Sequence, residues 1–369
     1  MKNEIDMSNR NFVGVDLHCD QMTCCFLNQD NSERKDVYHL NEGGLAQFRN
    51  EIDDNSHLIV EASTSTFAFT EAVSDIAGSV TIVDARKMQL IFKDKKKTDK
   101  VDAKKLAIYL KMQMSSGYEL IRPVYKPEKG IQELRSLFVT YKMFMKQLVQ
   151  LKNRIHALTR QNLLSYRKQN IFRKETREEI LAIDLPQFFK NQMAFLYQYS
   201  DTLQNQIEEI KDQVYLAGEK YKVQIDLLTS IKGISVFTAL ALISDIADIG
   251  RFKNEKHLAS YLRSTPSVDS SNSVTRVGKT SKLGRKLSIT LLTQSVTHFR
   301  NGNPNLQSWV DKHAEKSRGK IRMALCRKLI CIVYHMLKNG ELYRHMDEAN
   351  HAEKLNEYAR FLKKEKKIA

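Results

Sequence analysis

Hydrophobic and polar positions change their period twice along the chain, and the changes divide it into three parts. In the first part, short apolar clusters alternate with polar breaks, which is typical of strands and helices in turn. The pattern predicts a hairpin of two strands over 11–28, a helix at 43–53, a strand at 57–61, a helix at 67–76, a strand at 79–84 and a helix over 97–111. This order predicts an α/β domain over residues 11–115.

In the second part, residues 125–220, apolar residues recur three or four positions apart with lysine and arginine between them. The recurrence runs over 131–170 and again over 196–214, which predicts two long helices. They would form an antiparallel hairpin or an oligomerising coiled coil, so we assign this part to a helical coiled-coil linker. Its basic residues could follow a phosphate backbone or simply face solvent.

The third part, residues 225–345, is predicted to be a mainly helical carboxyl-terminal domain. Helices are expected at 227–246, with a turn at Gly233, at 252–262 and at 321–337. Between them lies a polar, serine-rich segment, 264–281, whose composition predicts a loop. Residues 346–369 are expected to form a basic tail.

Composition adds a strong positive charge to this picture. The 369 residues are 42% hydrophobic and 28% charged, as in a folded globular protein, and their formal net charge is +16. That charge favours a polyphosphate partner, since lysine and arginine bind nucleic acid largely by displacing condensed counterions. We find no signal peptide, no membrane-spanning apolar run and no lipidation signal, so a cytoplasmic protein without membrane contact is expected.

The stretch 93–105 concentrates charge, with seven lysines around three aspartates. If it opens a helix, Asp99 and Asp102 stand three positions apart on one face, a geometry suited to a shared cation. Lysines here would bring a polyanion to that cation, and the candidate nucleic-acid ligands are Lys95, Lys96, Lys97 and Lys100. The alternative is a solvated helix start whose acids match the helix dipole.

Two further acids stand at predicted strand positions. Asp16 follows an apolar run inside the first strand, and a metal is one of the few partners that repays burying a carboxylate. Glu61 ends a short buried strand, where sites gather in open sheets. His18 could support Asp16 or simply pack in the core. A pair of Mg²⁺ ions about 3.5–4 Å apart can assist attack at phosphorus, and such a pair needs several oxygen ligands. Carboxylates from several elements could supply them. The four candidate metal ligands are Asp16, Glu61, Asp99 and Asp102.

The serine-rich segment offers candidate nucleophiles next to positive charge. The basic residues that could neutralise a phosphodiester are Arg276, Lys279, Lys282 and Arg285. No histidine lies close in sequence to activate a serine, so a protease-like triad is not supported. The alternative is a flexible surface loop.

The four acids resemble those of the ribonuclease H or RuvC-like nuclease fold, and longer motifs extend a resemblance over nearly the whole chain. The chain resembles the DEDD-type transposases of bacterial insertion sequences, the "one-ten" family, which is related to the Piv invertases. At the front the resemblance rests on GVDLH, VEAS and KTDKVDAKKLA, and at the back on IKGISVFTALALISDI, RFKNEKHLASYL, TSKLG and ALCRKLICIVYHMLKNGELY.

This resemblance implies an α/β RuvC-like domain, a helical coiled-coil linker and a mainly α transposase domain with a nucleophilic serine. It implies a DNA transposase or recombinase whose serine forms a covalent phosphoserine with DNA, assisted by Mg²⁺ held by the four acids. It also implies an active site shared between subunits of a homo-oligomer, a dimer or a tetramer. An element-encoded bridge RNA would pair with donor and target DNA.

The family pattern of proline, four residues and then serine-glycine puts the nucleophile at Ser271, with Ser270 as the alternative. Asn272 stands here in place of the glycine, and Arg285 substitutes for an arginine that the family carries after its Lys-x-Gly element. Two other functions stay open. One is a metal-dependent RuvC-like nuclease or junction resolvase in which Ser271 is structural, and the other is a nucleic-acid-binding protein without catalysis. An actin-like sugar kinase is excluded because its Gly-rich phosphate loops are missing.

Overall fold

The computed structural model divides the chain into two units, Met1–Lys126 and Pro127–Ala369. It describes residues 10–84, 99–118, 122–166, 170–271, 274–280 and 284–368, with the backbone alone at 99–100, 268–271, 274–277, 279 and 368. Each unit buries its own hydrophobic residues.

A five-stranded mixed sheet forms the centre of the first unit. Its strands are β1 (Asn11–Leu17), β2 (Gln21–Leu27), β3 (Glu33–His39), β4 (Ser56–Glu61) and β5 (Ser79–Val83). In the order β3-β2-β1-β4-β5, β2 runs antiparallel to both β3 and β1, and β4 and β5 run parallel to β1. The predicted hairpin over 11–28 and the predicted strands at 57–61 and 79–84 are confirmed.

The edge strand β3 was not predicted from the sequence. Its residues, ERKDVYH, are mostly exposed and charged, so they show no apolar run. Pairing with β2 supplies its backbone hydrogen bonds, and the ring of Tyr38 packs 5.5 Å from that of Phe48. Charged residues on an edge strand also hinder pairing with another chain.

Helices cover both faces of this sheet. They are α1 (Glu42–Arg49), α2 (Thr66–Val73) and α3 (Asp99–Ser116). On one face, Phe48 of α1 and Phe69 of α2 join the apolar side chains of the sheet. On the other, Ala103, Leu106 and Leu110 of α3 do the same. The helices predicted in this region are therefore confirmed, and the first unit is a three-layer α/β structure.

Gly14 allows α3 to rest directly on β1. A Cβ atom at this position would overlap the carbonyl oxygen of Ala103 and lie 2.6 Å from the backbone nitrogen of Ala107. Real Cβ atoms do not approach backbone atoms so closely, and glycine is common where two backbones meet. The absence of a side chain here therefore sets the distance between helix and sheet.

Two long antiparallel helices open the second unit. These are α4 (Lys129–Gln161) and α6 (Gln187–Ala217), with the short α5 (Lys174–Ala182) between them. Leu158, near the end of α4, shares a core cluster with Phe189, near the start of α6, and Leu148 shares one with Leu203. The long helices and their antiparallel packing are confirmed. An oligomerising coiled coil stays a prediction.

The remaining described α-helices share one hydrophobic core. They are α7 (Lys222–Thr229), α8 (Val236–Ile246), α9 (Glu255–Tyr261), α10 (Leu287–Asn301), α11 (Pro304–Asp311), α12 (Arg318–Asn339) and α13 (Glu348–Ile368). Every residue of α8 is buried, and the turn before it uses a positive φ of 93° at Gly233. Residues 346–369, expected to be a tail, contain α13, whose Tyr358 and Leu362 are buried. No helix among the described residues has the length and apolar composition to cross a membrane.

The serine-rich segment forms a hairpin, and the expectation of a loop was wrong. Strands β6 (Pro266–Ser271) and β7 (Val274–Thr280) pair antiparallel as a two-stranded sheet. β-Branched residues such as Val268, Val274 and Val277 favour extended backbone, and this preference outweighs the polar composition.

We expect Gly14→Ala to lower the free energy of unfolding of the first unit by about 1–3 kcal/mol, because the helix must move off the sheet. The measurement is urea unfolding followed by circular dichroism.

Gly319→Ala is the matched control. A Cβ atom at Gly319, in α12, meets no atom within 4 Å, and alanine favours helix. If both variants unfold like the wild type, the close approach at Gly14 is not a constraint on this fold.

Candidate active site

Asp16 and Glu61 lie side by side on the two central strands. β1 and β4 are parallel and Val15 pairs with Val60, so the next residues, Asp16 and Glu61, occupy adjacent positions. Neighbouring strands lie about 4.8 Å apart, and paired residues point to the same face. The two acids therefore share one face of the sheet at its carboxyl-terminal edge.

That face is the one that α3 covers. Side chains alternate along a strand, so Asp16 faces the same way as Gly14, which lies against the backbone of α3. Glu61 faces the same way as Ile59, which packs against α3. Both acids therefore point to the side of the sheet that carries the helix.

The first turn of α3 carries the other two acids. The helix begins at Asp99, and Asp102 follows three residues later on the same side. The Asp102 carboxylate lies 4.0 Å from Nζ of Lys105, and its side chain is 25% exposed. The neighbouring Ala103 is the residue whose carbonyl lies against Gly14, so this turn sits over β1. The helical spacing predicted for the two aspartates is confirmed.

Asp16 is largely buried, and His18 lies beside it. The Asp16 side chain is 15% exposed, and its Oδ2 lies 3.4 Å from Nε2 of His18. A carboxylate that has lost most of its hydration needs polar partners. Of the two roles left open for His18, support of Asp16 fits this geometry.

A hydrogen-bonded turn fixes the end of β4 next to Glu61. The hydroxyl of Thr66 donates to the Glu61 carbonyl oxygen at 2.7 Å, and the backbone N–H of Ser63 donates to that hydroxyl at 2.8 Å. The backbone N–H of Ala62 donates to the carbonyl of Val83 on β5 at 2.8 Å. The serines and threonines after Glu61 thus hold the strand end in place.

This donor set suits a divalent metal. Carboxylate oxygens are the ligands that hard cations such as Mg²⁺ prefer. Among the side chains that the structure describes, no three histidine, cysteine, aspartate or glutamate residues stand close enough to form a metal-binding group. Asp16, Glu61 and Asp102 belong to that set, so the structure does not bring these three carboxylates together as a metal-binding group. The side chain of Asp99 lies outside the set, and the group of four acids stays a prediction.

Ser271 lies in the second unit, at the end of β6. It pairs with Val274, and Ser270 pairs with Thr275, so only residues 272–273 separate the two strands. Arg276 stands opposite Asp269 in the same register. The side chains of Lys100, Ser270, Ser271, Arg276 and Lys279, and the whole of Lys95, Lys96, Lys97, Asn272 and Lys282, lie outside the described part of the structure. The roles assigned to these residues stay predictions.

A buried carboxylate in α8 binds residues that follow this hairpin in the sequence. Asp245, in α8, has no exposed surface, and Arg285 donates its Nε–H to Asp245 Oδ1. Asp245 Oδ2 accepts hydrogen bonds from the backbone N–H of Ser288 at 3.0 Å and from its hydroxyl at 2.7 Å. These bonds compensate for the lost hydration of the carboxylate. Arg285, predicted to contact nucleic acid, is therefore also a structural ion-pair partner, with 34% of its side chain exposed.

Two further arginines meet at the same helix end. Arg135 donates from Nε to the Ser244 carbonyl at 2.8 Å, and Arg251 donates from Nε to the Ile246 carbonyl at 3.0 Å. These carbonyls close the last turn of α8, where the helix dipole is negative. Burial, and then the nearby Arg285, lowers the pKa of Arg135. No motif singled out Asp245 in advance, although an acid within the apolar run of α8 was a signal.

Two family models match the chain, and both describe transposases. The DEDD transposase model matches residues 13–162, which include the four acids. The model described as the IS116/IS110/IS902 transposase family matches residues 225–309, which include Ser271 and Asp245. Together the two matches span more than half of the chain. A DEDD transposase domain implies dependence on a divalent metal, which the carboxylates fit.

One curated relative is named as a protein of an insertion element. The chain is 27% identical over 121 residues to the "Insertion element IS110 uncharacterized 43.6 kDa protein" of Streptomyces coelicolor. That match spans 32% of this chain and 29% of the relative. The resemblance seen in the sequence motifs is confirmed by the family matches over residues 13–162 and 225–309. The chain belongs to the IS110 family of insertion-sequence transposases.

Proposed function

We propose that the protein is a DNA transposase that cleaves and rejoins strands through the hydroxyl of Ser271, assisted by Mg²⁺. The ions would be held by Asp16, Glu61, Asp99 and Asp102. The observation that carries this proposal is the adjacency of Asp16 and Glu61 on the face beneath the helix that bears the two aspartates. Membership of a transposase family supports DNA as the substrate.

The topology of the first unit supports a RuvC-like or ribonuclease H-like assignment. An antiparallel β1-β2-β3 meander continues into two strands parallel to β1. The acids lie on β1, at the end of β4 and on the helix after β5. This distribution resembles that of nucleases whose carboxylates bind two metal ions.

Each part of the acid site has a distinct task in this proposal. Bound metal ions would offset the negative charge that develops on the phosphodiester oxygens during cleavage. Asp16 and Glu61 would hold them from the sheet, while the aspartates of α3 would hold them from above. His18, 3.4 Å from Asp16, would orient that carboxylate. Gly14 would keep the helix at the required distance.

Ser271 is the proposed nucleophile, with Ser270 as the alternative. Its Oγ would form a bond to phosphorus while the bond from phosphorus to one deoxyribose oxygen breaks. The serine proton would pass to water, and the departing oxygen would take up a proton. A DNA hydroxyl would then attack the phosphoserine, which restores a phosphodiester and frees the serine. The position of Ser271 at the end of a hairpin strand supports this role, because hairpin ends can reach a ligand.

The protein is proposed to act as a homo-oligomer, a dimer or a tetramer. Exposed apolar side chains on α6 support this, since Phe188, Phe195 and Tyr199 are 77%, 68% and 43% exposed. They recur seven and four positions apart, which aligns them along one side of the helix like a coiled-coil seam. A second copy of the chain would cover this stripe.

An element-encoded guide RNA that pairs with donor and target DNA is the last part of the proposal. The net charge of +16 supports polyanionic partners.

The acid site is tested by substituting one acid at a time. Asp16→Asn, Glu61→Gln and Asp102→Asn are each expected to slow DNA cleavage by about 10²-fold or more, because each removes a negative ligand. The assay follows a labelled element end with Mg²⁺, after EDTA, and after Mg²⁺ is restored. Asp54→Asn, which alters an exposed acid of the same unit, should cleave normally. Normal cleavage by Asp16→Asn would refute the proposed site.

The nucleophile is tested by the covalent adduct. Ser271→Ala is expected to abolish a protein–DNA adduct that survives denaturing electrophoresis, whereas Ser270→Ala should retain it. Cleavage that continues in Ser271→Ala without any adduct would instead support a metal-only nuclease. If the wild type binds DNA but never cleaves it, the catalytically inactive alternative is favoured.

The guide is tested by purification. When the protein is expressed with its flanking genomic DNA, a discrete RNA encoded beside the gene is expected to co-purify and to be identified by sequencing. Recovery of only random cellular RNA would argue that the protein reads DNA without a guide.

A further inference from the structure

A cation–aromatic contact closes a basic segment in the second unit. Trp309 lies at the end of α11, and the Nζ of Lys328, in α12, lies 4.9 Å from the centre of its ring. His313 stacks on the same indole, with ring centres 4.4 Å apart. Residues 309–328 therefore form a segment whose first and last residues are in contact.

This segment carries a large excess of positive charge. It contains seven lysines and arginines and two acids. The side chains that form what we call the basic surface are all exposed: Lys312, Lys316, Arg318, Lys320 and Arg322. Within the described residues, Lys316 pairs with Glu315 at 3.9 Å, and the other four make no ion pair. Their charges are therefore available to an external anion.

The basic surface stands on a rigid support. Leu325, Cys326 and Leu329, further along α12, are buried in the core of the second unit. Gly319, between Arg318 and Lys320, leaves open space where a side chain would project. A bulky partner can therefore approach the helix backbone without displacing side chains.

The chemistry of the surface fits a phosphate backbone better than unpaired bases. Closely spaced, unpaired cations neutralise phosphates irrespective of sequence. Single-stranded nucleic acid is usually bound on aromatic rings that stack with its bases. Here the ring of Trp309 is occupied by His313 and Lys328 and packs on the core, so it offers no free platform.

We propose that the basic surface binds the phosphate backbone of duplex DNA without reading its sequence. The inference rests on the proposed transposase function, for which it supplies a holding contact outside the acid and serine sites. None of the residues of the basic surface belongs to the proposed acid or serine sites. Loss of this surface is therefore expected to weaken DNA binding without removing a catalytic group.

The test compares two triple variants of the full chain. Lys312→Gln/Lys320→Gln/Arg322→Gln neutralises the basic surface. Arg360→Gln/Lys363→Gln/Lys367→Gln removes the same charges from exposed positions of α13. Binding to a labelled duplex of random sequence is measured by fluorescence anisotropy over a range of salt concentrations. Circular dichroism confirms that both variants are folded.

The surface variant is expected to bind duplex about 10- to 100-fold more weakly, and the slope of log affinity against log salt should fall by about 0.9 for each lost phosphate contact. The control variant should retain most of its affinity and the full slope. Equal losses in the two variants would show only a general effect of net charge and would overturn the proposal.

Two further measurements sharpen the result. Trp309 is the only tryptophan of the chain, so its fluorescence should change when duplex binds. An unchanged emission at saturation would contradict binding at this surface. Single-stranded RNA of the same length should be bound almost equally by the wild type and the surface variant. An equal loss of RNA and DNA binding would overturn the assignment to duplex.

The cleavage assay distinguishes failure of the surface proposal from failure of the proposed transposase function. Asp16→Asn is expected to bind duplex like the wild type while losing cleavage. If no variant cleaves DNA but only the surface variant loses duplex binding, the transposase proposal fails and the surface still binds DNA. If cleavage requires the acids but the two triple variants bind alike, only the surface proposal fails.

Discussion

The direct contact between the backbones of α3 and β1 at Gly14 is the constraint on which the proposed acid site depends. Parallel strands alone bring two carboxylates together, at Asp16 and Glu61. Acids from a third element can join them only if a helix lies close to the sheet, and a side chain at Gly14 would prevent that. Clustered carboxylates repel one another, so the helix must be held by something else. Apolar packing of Phe12, Ile59 and Leu106 does so away from the acids.

In the second unit, the corresponding constraint is a buried helix whose polar groups need partners. There α8 is buried on all sides, so its polar groups must be satisfied inside the protein. The carboxylate of Asp245 takes Arg285 and Ser288 as partners, and Arg135 and Arg251 cover the carbonyls at the helix end. The ion pair holds Arg285, which follows the β6-β7 hairpin in the sequence, against the core of the second unit.

These contacts show why net charge indicates a kind of partner but not its location. Arg135 and Arg251 are committed to backbone carbonyls, and Arg285 is committed in part to Asp245. By contrast, Lys312 and Lys320 are exposed without an ion pair among the described residues. Arginines used inside the fold contribute little to counterion release, whereas exposed cations contribute fully. The cations that can neutralise phosphates are therefore those that the fold leaves exposed to solvent.

The sequence by itself determined the parts that depend on local pattern. The periods of apolar residues located the first hairpin and the long helices, and the motifs at the front and at the back of the chain identified the family. Local pattern failed at β3 and at the β6-β7 hairpin, because an isolated two-stranded or edge pairing is stabilised by its partner strand and not by an apolar period. Only the tertiary structure decided that Asp16 and Glu61 are neighbours, that Asp245 holds Arg285 and that Lys328 covers Trp309. Each of these joins segments separated along the chain, and their register and packing are settled only when the whole core assembles.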